Sequence, residues 1–434
     1  MNDFAKSDYL GSLLKTLQSS PISSPLPWLN QLRTHAIDHI GVQEIPTTRN
    51  EEWRFTDISP LTKLPYQPSQ PTHHLQSEDI KHFYLEEATT RFVFVDGHFA
   101  PHLSRIDENS PIIIGNLSEL AETHADAIAP HLGQHAQFRN NVFTALNTAF
   151  LHDGAVMIVP RNTSVTTPIH LLFIATQKEV TSSPRCLLIG ETGSKVTVIE
   201  DYVALQEACY ITNTVTEVSL AANAQASHIR IQRDSDQAFH LANCSVSLAH
   251  SSQYQSTSIT LGARISRYDM NVQLKDEASE CSINGLALIT DKQLADTHTC
   301  IDHLKPHGTS HQQHKCIVDG AAHAVFNGKI IVRPHAQLTN STQSSRNLLL
   351  TRQAHVDTKP QLEIFANDVK CAHGATVDQL DDEEIFYLKS RGLSEVAARN
   401  LLTYAFSAEI INCIPIASLK NRLEQTVLKQ TQSN

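Results

Sequence analysis

The spacing of apolar and polar positions changes character twice along this chain, and the changes mark three regions. In residues 1–90 the spacing is helical. Leu10, Leu13, Leu14 and Leu17 fall on one helical stripe, and Pro27 stands where it can open a second helix carrying Leu29, Leu32, Ala36 and Ile40. Between them and the next region the pattern breaks. RNEEWRFTDISPL (49–61) sets Trp53 and Phe55 among charged residues, which predicts a strand or turn anchored by two aromatics. LPYQPSQPTHHLQSED (64–79) predicts a loop or flexible linker.

Residues 91–380 carry short β-type runs instead: RFVFVDG, AVMIVP, IHLLFIAT, KVTVIEDY, CSINGLALIT and VFNGKIIVRP, with helical periods almost absent. A sandwich would punctuate such runs with more turn glycines than the 15 in the whole chain. Short strands with Ser, Thr, Asn and His at the corners and few aromatics predict a β-solenoid, in which each coil buries its face on the next. The spacing fixes no exact repeat, and a flattened sandwich is the alternative.

Residues 381–434 turn helical again. Asp381 can cap a helix with Glu384 as its capping-box partner, and Gly392 suits a left-handed C-terminal cap. Ser394 then opens a helix whose apolar side is read as Val396, Leu401, Leu402, Ala405, Phe406 and Ile410. Pro415 precedes a third helix with Leu419, Leu423 and Val427 at four-residue steps. These helices are expected either to cover the end of the solenoid, where strand edges would otherwise be exposed, or to dock another subunit.

Charge narrows the function classes. The 434 residues carry a formal net charge of −11 with no Lys/Arg block, which argues against a nucleic-acid partner. No apolar run approaches the roughly 20 residues that span a bilayer, so no membrane partner is expected. The start, MNDFAKSDYLGSLLKTLQSS, lacks the order of a secretory signal and contains two early aspartates, so a cytoplasmic location is expected. The familiar enzyme motifs are missing. GETGSKVTV (190–198) lacks the Gly-Lys-Ser/Thr order of a phosphate loop, and no GxGxxG, GxSxG or HExxH occurs. DQLDDEE (378–384) could supply the clustered acids of a polysaccharide-acting solenoid, but its place at a helix start accounts for it through capping and the helix dipole.

Eight cysteines are scattered without a CxxC pair, and those at 186, 209, 244 and 281 lie in or beside apolar runs, as buried thiols do. Two groupings stand out. THTCIDHLKPHGTSHQQHKC (297–316) is dense in His and Cys, yet its spacing fits no zinc finger and a Pro-His-Gly turn divides it, so stacked corner residues are the favoured reading over a metal. Cys371 and His373, in DVKCAHGATVDQL, are two apart; on a strand both side chains point to one spot. They can be half of a zinc or iron–sulfur ligand set, a nucleophile with its base, or an ordinary pair of strand residues.

The blocks VFNGKIIV, SSRNLLL and VDTKPQLEIFANDVKCAHGATVDQLDDEEIFYLKSRGLSEVAARNLLTYAFSAEI, with HTCIDHLKPHGTS and RNEEWRFTDIS upstream, resemble the SufB/SufD family of iron–sulfur cluster assembly proteins. The resemblance is strongest over about 296–411 and collinear over the rest. Within the family CAHGAT (371–376) is similar to the SufD branch, because Gly374 stands where SufB-like sequences carry glutamate. The resemblance implies a mainly β fold, a right-handed parallel β-helix core flanked by N- and C-terminal helical regions. It implies a non-enzymatic scaffold subunit of a SufBCD-type complex, paired with a SufB-like paralogue as a heterodimer and bound to a SufC-like ATPase through residues 381–411. A homodimer is the expectation when the paralogue is absent. Cys371 and His373 match the family's residues at the SufB–SufD interface, where a transient iron–sulfur cluster shared with SufB would form. His373 is the better ligand candidate, and no tightly bound cofactor is expected in the isolated chain. Glu409 matches a recurring glutamate of unassigned role, and the 298–316 tract matches β-helix core positions. A solenoid enzyme using a Cys371/His373 dyad is the alternative.

Overall fold

The structure, a computed structural model, describes residues 8–19, 22–64, 66–107 and 109–430. The first seven residues, which enter the expectation about a leader, lie outside the described residues, as do 431–434 of the last region.

Alternate strands of the chain build two long facing sheets, one of 11 strands and one of 10, which are here called sheet I and sheet II. Nearly every pairing is parallel, so the chain winds as the expected β-solenoid. In sheet II the aligned residues Gln225, Gln253, Glu280, Thr309 and Asn340 are 28, 27, 29 and 31 positions apart. Coils of unequal length explain why no fixed repeat can be read from the sequence.

Inward rows of the two sheets form one core. Val196, Val198 and Tyr202 of sheet II meet Val218, Leu220, Val246 and Val272 of sheet I. The outer faces are covered as well. The helices Asp8–Ser19 and Pro27–Val42 lay Leu10, Leu13, Leu17, Ala36 and Ile40 in the cluster built on Ile211, Phe239, Leu241 and Ile265 of sheet I. The helices Glu395–Ile411 and Ala417–Gln430 lay Ile410, Ile411, Leu419, Leu423 and Val427 on Ile229, Ile231, Ile259 and Ile317 of sheet II. Each of these leucine, isoleucine and valine side chains stabilises the packing by about 1.5–3 kcal/mol on full burial. Strands covered on both faces read as continuous apolar runs, as IHLLFIAT does.

Several expectations need correction. Residues 117–149 are largely helical, including Leu117–Thr123 and Val142–Ala149. Every residue of the second is buried, and its polar stripe of Thr144, Asn147 and Thr148 faces not solvent but the protein, where Asn147 donates to the Pro184 and Asn213 carbonyls, so only the fold shows what covers it. The 64–79 segment is not a free linker. Gln67 and Pro68 pair with Val180 and Thr181, and Tyr66, Ser69 and Leu75 are buried. Residues 51–53 form a single 3₁₀ turn in which Trp53 packs beside Phe143 while Phe55 is exposed.

At the C-terminal end Asp381 caps the helix Asp382–Ser390 by accepting from the Glu383 N–H at 2.7 Å, without a reciprocal bond from Glu384 among the described contacts. Gly392 has φ +98°, the expected left-handed cap, and Ser394 accepts from the Ala397 N–H. In Glu395–Ile411 the buried face is Ala398, Thr403, Ser407, Ile410 and Ile411, whereas Val396 and Leu401 are exposed. The helices do not cover the solenoid end. They lie along the outer face of sheet II, because that face presents the isoleucine rows and the end does not. No described helix is long and apolar enough to cross a membrane.

Candidate functional site: an open last coil

The last coil consists of His355–Ile364, the end strand of sheet I, and Val369–Gln379, the end strand of sheet II. Among the described residues each is paired along one edge only, to His323–Val332 and Thr339–Leu349 respectively. The preceding strand Thr339–Leu349 alternates buried and exposed positions, but Val369–Gln379 is exposed at almost every one. Even its inward-facing side chains reach solvent, because no further coil follows. Leu338, Ile364, Phe365 and Val377 are large apolar residues exposed on these last coils.

Cys371 and His373 lie on this strand. Their register partners Ser341 and Gln343 are both buried, which puts the pair on the inward row. Cys371 is half-buried and packs against the inter-sheet core, and His373 is exposed. Gly374 takes the next, outward position, and nothing lies within 4 Å of where its Cβ would stand, so the outer face of this strand is uncovered there. Burial pushes the Cys371 thiol up, with only a backbone hydrogen bond at Ser341 opposing it. A catalytic thiol needs the reverse shift and a base in reach, and no hydrogen bond joins Cys371 to His373 among the described contacts. The pair therefore lacks the contact that a dyad needs.

The 298–316 tract is dispersed by the fold. His303 and His314 point into the solenoid. His314 stacks on Phe326 with ring centroids 4.5 Å apart, in space that a Cβ on Gly285 would fill. Burial pushes His303 down to about 4 and His314 down to about 3, so both are neutral core residues. Cys316 is buried among Ala287, Ala295 and Ala324, and His307 takes the left-handed turn position at φ +63°. His298 faces the opposite way, onto the N-terminal turn. It meets Asp296 at 2.9 Å and Glu52 at 3.3 Å, while Thr56 donates to Asp296 at 2.5 Å and Arg267 reaches Asp296 at 2.6 Å. Burial opposes the charge on His298, but the two carboxylates outweigh it and hold the imidazole up at about 9.

A raised histidine stabilises the fold below its ordinary pKa, and that contribution disappears as pH rises through the folded value. Unfolding stability is therefore expected to fall by about 2–3 kcal/mol between pH ~6.5 and ~9.5. Denaturant titrations across this range check it, with the alkaline fall smaller by about that amount in His298→Gln, the remainder coming from His228, which, against the opposing effect of burial, Glu200 holds up at about 10. The same turn roofs a polar cavity of 330 Å³ whose walls include Arg267, Asn271, His298 and Cys300.

Glu409 acquires a role. The buried ammonium of Lys315 pairs with its carboxylate and donates to the Phe406 carbonyl at 2.9 Å, and Gln313 donates to Glu409 at 2.6 Å. The glutamate pins the Glu395–Ile411 helix to sheet II. Beyond that anchor the helices Asp382–Ser390 and Glu395–Ile411 leave Phe386, Tyr387, Val396 and Leu401 exposed.

Fold and edge together define a class: a parallel β-solenoid whose uncovered last coil carries a cysteine and a histidine on its inward row. Residues 173–406 match the family model described as "SUF system FeS cluster assembly, SufBD core domain", and residues 9–171 match "SufBD protein N-terminal region". The chain is 41% identical over 411 residues to an iron–sulfur cluster assembly SufBD family protein of Synechocystis sp., covering 92% of this chain and 90% of that one. It is 34% identical over 383 residues to the iron–sulfur cluster assembly protein SufD of Escherichia coli, covering 87% and 88%. With SufD of Bacillus subtilis the identity is 24% over 429 residues, covering 93% and 94%. This chain belongs to the SufBD family of iron–sulfur cluster assembly proteins, and proteins named SufD are among its relatives.

Proposed function

We propose that this chain is the SufD-type half of a two-solenoid scaffold that builds nascent iron–sulfur clusters and passes them on, and that it does no chemistry of its own on a substrate. The free edges of His355–Ile364 and Val369–Gln379 pair with a SufB-like paralogue. Parallel edge strands 10 and 11 residues long, with their backbone groups unpaired on one side, are a template for another chain. Cys371 and His373 then contribute their half of the donors for the cluster, which is cargo, and the paralogue contributes the rest. The exposed Phe386, Tyr387, Val396 and Leu401 dock a SufC-like ATPase. With no paralogue present, two copies of this chain pair through the same edges.

The single observation that carries this reading is the open last coil with a thiol and an imidazole on its inward row. A site shared across a boundary that can open gives a means of gating cluster release. The raised thiol of Cys371 counts against the solenoid-enzyme alternative. The test is copurification of the chain with a SufB-like and a SufC-like protein. A stable ternary complex is the expected outcome; a chain that remains alone while turning over a substrate would overturn the proposal.

A further inference from the structure

A second donor set sits on the same last coils, on sheet I rather than sheet II. His323 and His355 are register partners on neighbouring strands, and Asp357 stands two residues beyond His355 on the same face. Their rings lie 4.9 Å apart, centroid to centroid. His323 Nε2 is 2.8 Å and His355 Nε2 is 3.1 Å from one carboxylate oxygen, Asp357 Oδ2. Of the described His, Cys, Asp and Glu residues, these form the one group of three whose ligand atoms all fall within 4.8 Å of one another.

We propose that His323, His355 and Asp357 bind one divalent first-row transition-metal ion. Two imidazoles and one carboxylate on a single face are the donor set of a facial, octahedral site with three positions left open. Neighbouring donors about 2.1 Å from an octahedral ion lie about 3.0 Å from each other. The two N···O separations of 2.8 and 3.1 Å bracket that edge, so an ion can enter with little rearrangement. On entry each imidazole carries its proton on Nδ1 and presents the Nε2 lone pair. Access is open on one side and held on the other. His355 is 65% exposed, while His323 and Asp357 are each 25% exposed. Asp357 also lines a cavity of 150 Å³ under the N-terminal turn, where Lys359 is tied to Glu51 at 2.8 Å.

The same coil thus carries a nitrogen–oxygen donor set on one sheet and a thiol–imidazole pair on the other. In cluster assembly the imidazole–carboxylate set suits ferrous iron held on the same coil as the edge where the cluster forms. That choice of ion rests on the function proposed above; the site itself does not.

Cobalt(II) is the probe. Titrated anaerobically into the full chain, it is expected to give one equivalent of visible d–d absorption, displaced by a large excess of ferrous ion. His355→Ala and Asp357→Asn are expected to weaken binding at least about tenfold. Cys371→Ser and His373→Ala are expected to leave it unchanged. Because His355 is exposed, its substitution is expected to leave the thermal unfolding curve in place. Absence of stoichiometric uptake by the unaltered chain, full binding by His355→Ala, or loss of binding in Cys371→Ser would each overturn the site. Cobalt binding with no displacement even by a large excess of ferrous ion, and no uptake of ferrous ion by the cobalt-free chain, would overturn the iron assignment alone. A chain that binds cobalt as stated but assembles no cluster with its partners would contradict the proposed function and leave the site standing.

Discussion

Replacing His373 by alanine is expected to cut the cluster assembled by the complex at least about tenfold while leaving the complex itself intact. The separation of the two effects follows from geometry. His373 is exposed on an edge strand whose backbone is already paired on one side with Thr339–Leu349, so its imidazole supports no core packing. Removing it deletes a donor and no strand contact. Cluster formation is read from the visible absorption of the anaerobic complex, and assembly from its elution volume. Loss of the complex would assign His373 to packing at the boundary, and unaltered cluster yield would remove it from the ligand set. Cys371→Ser is expected to perturb stability more, because Cys371 packs against the inter-sheet core.

Glu217→Ala is expected to cost about 3–5 kcal/mol of folding stability, read as a fall in the denaturant midpoint. Glu217 is buried and takes the Arg185 guanidinium at 2.5 Å. It also accepts from the backbone N–H groups of Gly133, His135 and Ala136 at 2.8, 2.9 and 3.0 Å. Burial opposes its charge, but Arg185 and the three amides outweigh it and hold the carboxyl below its usual range. Alanine leaves a cation and three donors without their acceptor inside the protein, and each unmet donor costs on the order of 1–3 kcal/mol. Glu217→Gln keeps an acceptor oxygen and is expected to lose less. Because the folded carboxyl is depressed, its contribution is present above the ordinary glutamate pKa and is lost as pH falls through the folded value. A loss below 1 kcal/mol for the alanine variant would show that the 133–136 loop is not held through Glu217.

The sequence determined what depends on neighbours in the chain. Strand-length runs with sparse glycine marked a solenoid, and Pro27, Ser394 and Gly392 marked helix ends, because these signals act over a few residues. It also put Cys371 and His373 on one face, since a strand alternates with period two wherever it lies. It misread the apolar side of the Glu395–Ile411 helix. That helix has apolar residues on more than one side, and the isoleucine rows of sheet II selected which side is buried.

What meets across coils was decided by the tertiary structure. Glu217 falls on an outward row and reads as a solvent-facing strand residue until the 133–136 loop is laid over it. Lys315 reads as surface until Glu409 arrives from a helix, and His298 reads as one of many tract histidines until Glu52 is brought to it. His323 and His355 become neighbours only once the coil between them is known to span 32 residues, where the coil before it spans 29. Local periodicity fixes which way a side chain points. It does not fix which coil lies beside it, because coil length is set by corner loops whose insertions the stacked strands tolerate. For the same reason nothing in the local pattern distinguishes the last strand from those before it: the open coil exists because the chain turns to helix after Gln379 and those helices follow the apolar rows of sheet II, leaving the end uncovered.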